Sequence, residues 1–245
     1  MKFVISLSPI KIAKSLAIVA SCFTFVSIVL QYARYVFNYR QEWTNLFNLD
    51  KELNYPTWYQ SFTLLFCAIL LAIIAAAKKV DSDRYFGHWK ALSFIFLFLA
   101  LDETISIHEI LIIPDLRSVL HLGGIFYYIW VIPGAIFVLI FAKSYLNFLT
   151  NLPRKSRCLF FLSGLIYVGG ALGMEMIGGY YADLSGQRNL GYALITNSEE
   201  FLEMMGIVIF SYALMSYMNL YMQSFDIQLK IFNHPDSTNS RQGVD

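Results

Sequence analysis

Long apolar runs separated by short polar stretches dominate the pattern of this chain. Six of the runs reach or approach the roughly 18 to 20 residues that a helix needs to cross about 30 Å of hydrocarbon. The runs lack the period of two that is typical of membrane β-strands. Because a helix satisfies its own backbone hydrogen bonds inside lipid, the pattern predicts an all-α, polytopic transmembrane helical bundle, with spans at about 13–36, 59–77, 91–113, 123–142, 158–180 and 195–222.

The polar stretches between these spans are too short to form a second folded domain. The longest of them, residues 37–58, mixes aromatic and charged side chains, which suits an ordered cap at the membrane interface. We therefore expect one transmembrane domain, residues 1–232. The polar composition of residues 233–245 predicts a disordered tail after it.

The composition agrees with a lipid environment. Of the 245 residues, 57% are hydrophobic and only 14% are charged, against roughly 25% charged residues in an ordinary soluble domain. The net charge of +1 provides no basic surface for a nucleic acid. The lipid bilayer is therefore the first expected partner, no nucleic acid is expected, and the oligomeric state is left open.

Lysine and arginine are distributed unequally between the two sides of the predicted bundle. Thirteen of the 18 basic residues fall on the side that holds both termini, and the remaining five fall on the other side. Short cytoplasmic loops are enriched in lysine and arginine. The sequence therefore predicts that both termini are cytoplasmic.

Seven acidic residues fall inside the predicted spans, where charge is costly. An ionised carboxylate at the bilayer centre costs about 2.5 to 3.5 kcal/mol even on insertion scales, and the interiors of these spans contain no lysine or arginine. A rise of about 1.5 Å per residue puts acids of the third, fifth and sixth spans at similar depths, with Asp102, Glu103 and Glu203 deepest, roughly 12 to 17 Å below the outer ends. We therefore expect one shared cluster that opens toward the non-cytoplasmic face and contains Asp102, Glu103, Glu109, Glu175, Glu199, Glu200 and Glu203.

Carboxylates together with an imidazole suit hard or borderline cations such as iron, manganese, magnesium and calcium. Di-iron sites in helical bundles combine four carboxylates with two Glu-x-x-His pairs. This chain has one histidine inside the spans and no such pair, so the match is partial. We expect a divalent-metal site, with iron or manganese favoured, and His108 and Glu103 as catalytic residues; the expected metal ligands are Asp102, Glu103, Glu109, Glu175, Glu199 and Glu203. An ordinary interhelical histidine explains His108 equally well.

Three functions remain open at this point. A membrane-embedded metal-dependent enzyme would use the acids as ligands or proton carriers and would act on a lipid-soluble substrate. A cation channel or proton-coupled transporter would use them as a binding and relay chain. A structural or assembly protein would use them only for hydrogen bonds between helices. Because no acidic path continues through the cytoplasmic half, the enzyme is the first interpretation.

Two acidic motifs resemble those of an uncharacterised family of bacterial six-span membrane proteins that is common in cyanobacteria. The first motif is Leu101–Glu109, with its Asp-Glu and His-Glu pairs, and the second is Glu199–Met204; Phe47–Asp50 lies upstream of both. The resemblance covers spans two to six. It implies a six-span architecture in a bacterial inner or thylakoid membrane, and it implies no particular activity.

Overall fold

The computed structural model describes residues 8–107 and 122–222. Within these ranges the chain forms seven α-helices and no strand, so the predicted all-α fold is confirmed. The helices are α1 (Pro9–Val36), α2 (Tyr55–Val80), α3 (Phe86–Ile105), α4 (Val131–Asn151), α5 (Arg154–Val168), α6 (Glu175–Ser185) and α7 (Leu190–Tyr221). A π-helical turn, Gly169–Met174, joins α5 to α6, so that Arg154–Ser185 is one long helix.

Five of these helical segments are long and apolar enough to cross a membrane, namely α1, α2, α4, α7 and Arg154–Ser185. Helix α3 has 20 residues, which is also sufficient length, but it carries Lys90, Asp102 and Glu103. It packs along α2, and its Ser93 hydroxyl donates to the Ala68 carbonyl. The architecture is therefore that of a helical membrane bundle with about six spans.

Two predicted span boundaries are wrong. Helix α3 ends at Ile105 and not near residue 113, because Ser106 adopts a left-handed conformation with φ of 50° and donates its N–H to the Asp102 carbonyl. Helix α4 begins at Val131 and not near residue 123, since the chain first forms a 3-10 turn at Gly124–Phe126. Apolar composition alone does not distinguish such a turn from the start of a helix.

The segment between α1 and α2 forms an ordered cap over one end of the bundle. It contains a 3-10 helix, Glu42–Phe47, and Asn54 caps the start of α2 by accepting from the Thr57 N–H at 3.0 Å. The Leu49 N–H donates to the buried Ser27 hydroxyl of α1 at 3.2 Å. We call this the capped end; the opposite end, with the turn between α2 and α3, is the base.

Most of the buried apolar core lies in the half of the bundle toward the base. Trp89 of α3 is its centre, with ring centroids 4.9 Å from Phe148, 5.8 Å from Phe160 and 5.0 Å from Tyr217. These contacts join α3 to α4, α5 and α7. The half of the bundle toward the capped end contains the polar groups described below.

A charged turn closes the base between α2 and α3. Asp83 accepts from the Tyr85 N–H at 2.7 Å and forms a salt bridge with Lys78 at 3.2 Å. Partial burial acts to raise the pKa of Asp83, but the Tyr85 N–H and the Lys78 ammonium outweigh it and hold that pKa below its usual value.

We expect Asp83→Asn to lower the free energy of unfolding at neutral pH by about 1 kcal/mol or less, as is usual for exposed ion pairs. Because the folded-state pKa is lowered, the stabilisation is present above the unfolded pKa and is lost as pH falls through the folded value. Thermal unfolding in detergent at neutral and acidic pH would measure this. Asp81→Asn is the matched control, and a difference between wild type and Asp83→Asn that persists at acidic pH would contradict the prediction.

The predicted disordered tail, residues 233–245, lies outside the described residues, as does the end of the predicted domain at residue 232.

Candidate functional site

A buried glutamine of α2 joins carboxyl groups of α3 and α7. Gln60 is 1% exposed, and its Nε2 donates to Glu103 Oε2 at 3.2 Å and to Glu203 Oε2 at 3.3 Å. An amide nitrogen carries two hydrogens and can make both bonds at once. Two acids that are far apart in the sequence are therefore brought to one point, held from a third helix.

A second pair of acids lies beside the first. The Glu199 carboxyl group is in hydrogen-bonding contact with that of Glu175 on α6, and Trp130, at the start of α4, donates its indole N–H to Glu175 Oε1 at 3.0 Å. Glu199 is 8% exposed and lies one helical turn from Glu203 on α7.

The remaining acids surround these two pairs. Glu200 interacts electrostatically with Glu103 and Glu203, and also with Glu52 and Asp50 of the cap. Asp102 interacts with Glu103. We call the following six residues the carboxyl cluster: Asp102, Glu103, Glu175, Glu199, Glu200 and Glu203. The cap residues Asp50 and Glu52 are exposed and extend the negative charge from this cluster to the surface of the capped end.

Two close helix contacts hold the cluster together. A Cβ added at Gly170, in the π-helical turn, would lie 2.9 Å from the Glu199 carbonyl oxygen, and one at Gly206 would lie 2.8 Å from the Tyr167 nitrogen. Only glycine allows α7 to approach this closely, since both obstacles are backbone atoms. The contacts set Glu199 and Glu203 against the long helix that carries Glu175.

Two of the cluster acids, Asp102 and Glu103, lie nearer the end of their helix than predicted. Helix α3 ends two residues after Glu103, which puts this carboxyl about 3 Å below the end of its helix. The predicted depth of roughly 12 to 17 Å for Asp102 and Glu103 is therefore wrong, because that depth assumed a helix continuing to residue 113.

The predicted residues fall into two groups. Five of the predicted metal ligands, namely Asp102, Glu103, Glu175, Glu199 and Glu203, come together in the carboxyl cluster. Glu109 and the predicted catalytic His108 lie outside the described residues. In the part of the chain that the structure describes, no group of three or more His, Cys, Asp or Glu side chains is arranged to hold a metal ion. The carboxyl groups are instead linked through Gln60, through Trp130 and through each other.

Sequence reasoning missed two donors of the site. Gln60 had a detectable signal, because it is the one amide side chain of α2, and buried polar groups need partners. Trp130 had none, since it reads as part of an apolar run. The cap acids Asp50 and Glu52 were assigned to the interface without a link to the cluster.

Comparison with known proteins gives one match. Residues 15–217 match the sequence model of the DUF8692 family, which is described as a domain of unknown function. This range includes every residue of the carboxyl cluster and Gln60. No curated protein and no solved structure matches the chain.

Proposed function

We propose that this chain, which belongs to the DUF8692 family of unknown function, binds a divalent cation in its carboxyl cluster and is a membrane-embedded, metal-dependent enzyme that acts on a lipid-soluble substrate. The observation that carries the proposal is the position of Gln60. Its Nε2 lies within 3.3 Å of two carboxylates from two other helices. The positively polarised N–H group of Gln60 therefore lies where a cation bound by the same carboxylate oxygens would lie.

The charge of the surroundings supports a cation. The outer halves of α2, α3, α6 and α7 contain the cluster acids and no lysine or arginine. Ionised carboxylates are costly in hydrocarbon, and a divalent cation between Glu103 and Glu203 would neutralise both. Oxygen ligands of this kind suit hard cations, and we favour manganese or iron.

The described residues have distinct proposed roles. Asp102, Glu103, Glu199 and Glu203 are the proposed ligands, with Gln60 turning its amide oxygen toward the cation. Such a cation supplies Lewis acidity or an activated water. Glu175, which accepts the Trp130 indole N–H beside the site, is the proposed acid and base. His108 and Glu109 follow α3 in the sequence and are proposed as further groups of the same site.

The proposed setting is a bacterial inner or thylakoid membrane with both termini in the cytoplasm. The excess of lysine and arginine on the terminal side supports this orientation. The base then faces the cytoplasm, and the capped end, with Asp50 and Glu52, faces the opposite compartment. A cation would therefore reach the cluster from the non-cytoplasmic side.

A second candidate function is proton-coupled cation transport. The contact between the Glu175 and Glu199 carboxyl groups favours it, because two adjacent carboxyl groups inside a membrane can bind either a proton or another cation. The acids named above lie in the outer halves of their helices, which favours the enzyme. A purely structural role is the remaining alternative.

The test of the proposed function is metal binding by the purified full chain. We expect wild type to bind about one manganese ion per chain, as measured by metal analysis and electron paramagnetic resonance. Glu203→Gln and Glu103→Gln should each weaken binding by about 100-fold or more, since even residues behind the ligands cost 10- to 100-fold. Glu42→Gln, the same replacement at an exposed acid of the cap, should bind like wild type.

Gln60→Glu is included so that a loss of metal binding caused by misfolding is not mistaken for the loss of a ligand. It adds a third carboxylate at the bridging position, and we expect tighter manganese binding than in wild type. Absence of bound metal in wild type, or wild-type binding in Glu203→Gln, would overturn the metal site. If the protein also carries manganese across proteoliposome membranes in exchange for protons, the transporter hypothesis would replace the enzyme hypothesis.

A further inference from the structure

A set of buried polar contacts, which we call the joint, connects α1 to the cap. Gln31 of α1 is 5% exposed. Its Nε2 donates to Oδ1 of Asn48, which also accepts from the Asp50 N–H at 3.2 Å. One helical turn earlier on α1, the Ser27 hydroxyl accepts from the Leu49 N–H. The joint therefore fixes the part of the cap that carries Asp50, an acid that interacts with the carboxyl cluster.

The orientation of the Gln31 amide group follows from its partner. The Asn48 atom that accepts from the Asp50 N–H must be the amide oxygen, so Gln31 must present its nitrogen to that oxygen. The Gln31 Oε1 atom consequently points elsewhere, and it has no hydrogen-bond partner among the described residues. Because a buried acceptor without a partner is costly, a hydrogen-bond donor is expected at this oxygen.

A small cavity lies at the joint. It has a volume of about 10 Å³ and is lined by residues of α1 and of the cap, namely Ser27, Leu30, Gln31, Arg34, Thr44 and Asn48. Four of these residues are buried, so the cavity is largely closed to the surface. A space of roughly 10 to 15 Å³ is the least that holds one water molecule. The cavity therefore has room for a single small polar ligand and excludes larger ones.

The lining residues determine what kind of ligand fits. Gln31 Oε1 is an acceptor, and the Thr44 hydroxyl is left as an acceptor because its proton is donated to the Gln41 carbonyl at 2.6 Å. Arg34, by contrast, offers only donors and a positive charge. A cation would be repelled by Arg34, and an anion would be repelled by the two oxygens. Water suits both kinds of group, since it can donate two hydrogen bonds and accept another.

We infer that the cavity binds one water molecule, which donates to Gln31 Oε1 and to Thr44 Oγ1 and accepts from Arg34. Buried water molecules usually make about three hydrogen bonds, to polar groups that otherwise have no partner. This water links α1 to the 3-10 helix of the cap, and it adds to the direct contacts of the joint. The position of the cap above the carboxyl cluster therefore depends on a bound solvent molecule, whether or not the cluster binds metal.

The test is an experimental structure of the purified full chain at a resolution that shows ordered water. In wild type we expect one water molecule about 3 Å from both Gln31 Oε1 and Thr44 Oγ1. Thr44→Val keeps the shape of the side chain but removes its oxygen, and it should lose this water. Thr44→Ser keeps the oxygen and should retain the water. A wild-type cavity that contains no water, or that contains an ion, would overturn the inference.

Thr24→Val is the matched control. The Thr24 hydroxyl also donates to a backbone carbonyl, that of Ala20 at 3.0 Å, but Thr24 is not among the residues that line the cavity. The variant should keep the water. Hydrogen–deuterium exchange measures the effect on the cap: the Leu49 N–H should exchange about five- to tenfold faster in Thr44→Val than in Thr44→Ser, which corresponds to the loss of about one hydrogen bond. Retention of the water in Thr44→Val, or its loss in Thr24→Val, would contradict the assigned contacts.

Discussion

Trp89→Ala is expected to lower the free energy of unfolding by about 3 kcal/mol, the low end of the range for loss of a large aromatic from a core. Trp89 is 1% exposed and contacts aromatic rings of α4, α5 and α7. Its removal leaves a cavity at the point where four helices meet. We place the effect at the low end because the unfolded state of a membrane helix already surrounds the side chain with lipid, so that lost packing is the main cost.

Reversible denaturation in mixed detergent micelles would measure this loss. Phe94→Ala is the control, because Phe94 is also an aromatic residue of α3 but is 59% exposed. Its truncation should change the free energy of unfolding by about 0.5 kcal/mol or less. Equal effects of the two truncations would show that the base is not organised around Trp89.

Gly206→Ala is the second prediction with a large effect. The added Cβ would lie 2.8 Å from the Tyr167 nitrogen and 2.9 Å from its Cα, and backbone atoms of a helix cannot turn aside as a flexible side chain can. Helices α5 and α7 must therefore separate. We expect a loss of about 1 to 3 kcal/mol, as for other overpacking changes.

The same substitution should also weaken manganese binding, because it moves α7, which carries Glu199 and Glu203. Gly164→Ala is the matched control: it makes the same change in α5, and the structure places nothing within 4 Å of the added Cβ. We expect it to be neutral or slightly stabilising, since alanine is the better helix former by about 1 kcal/mol. Wild-type stability of Gly206→Ala would contradict the close contact of α5 and α7.

The carboxyl cluster was partly predictable, because charged residues are costly in hydrocarbon and acids within an apolar run are therefore easily recognised. Asp102, Glu103, Glu175, Glu199 and Glu203 stand out in apolar runs, and the structure brings these five together although the predicted depth of Asp102 and Glu103 was wrong. The pairing within the group was not predictable. Which acid meets Gln60 and which meets Trp130 depends on helix rotation and on the early end of α3, and neither follows from apolar composition.

The glycines of the long helix also show the difference between what composition indicates and what helix packing decides. The segment Gly169–Gly179 is rich in glycine, and close contacts are present at Gly170 and, from α7, at Gly206. Gly164 and Gly173 are just as small, yet the structure places nothing within 4 Å of a Cβ at either position. A glycine permits close approach, and only the neighbouring helix decides whether it is used.

The sequence by itself determined that this is a helical membrane protein of about six spans with acids inside them, because the exclusion of charge and unpaired backbone from lipid acts on each segment separately. Only the tertiary structure decided which acids form pairs and that a glutamine and a tryptophan hold them. These contacts join residues up to 143 positions apart in the chain. They depend on the relative rotation and depth of packed helices, which no single segment specifies.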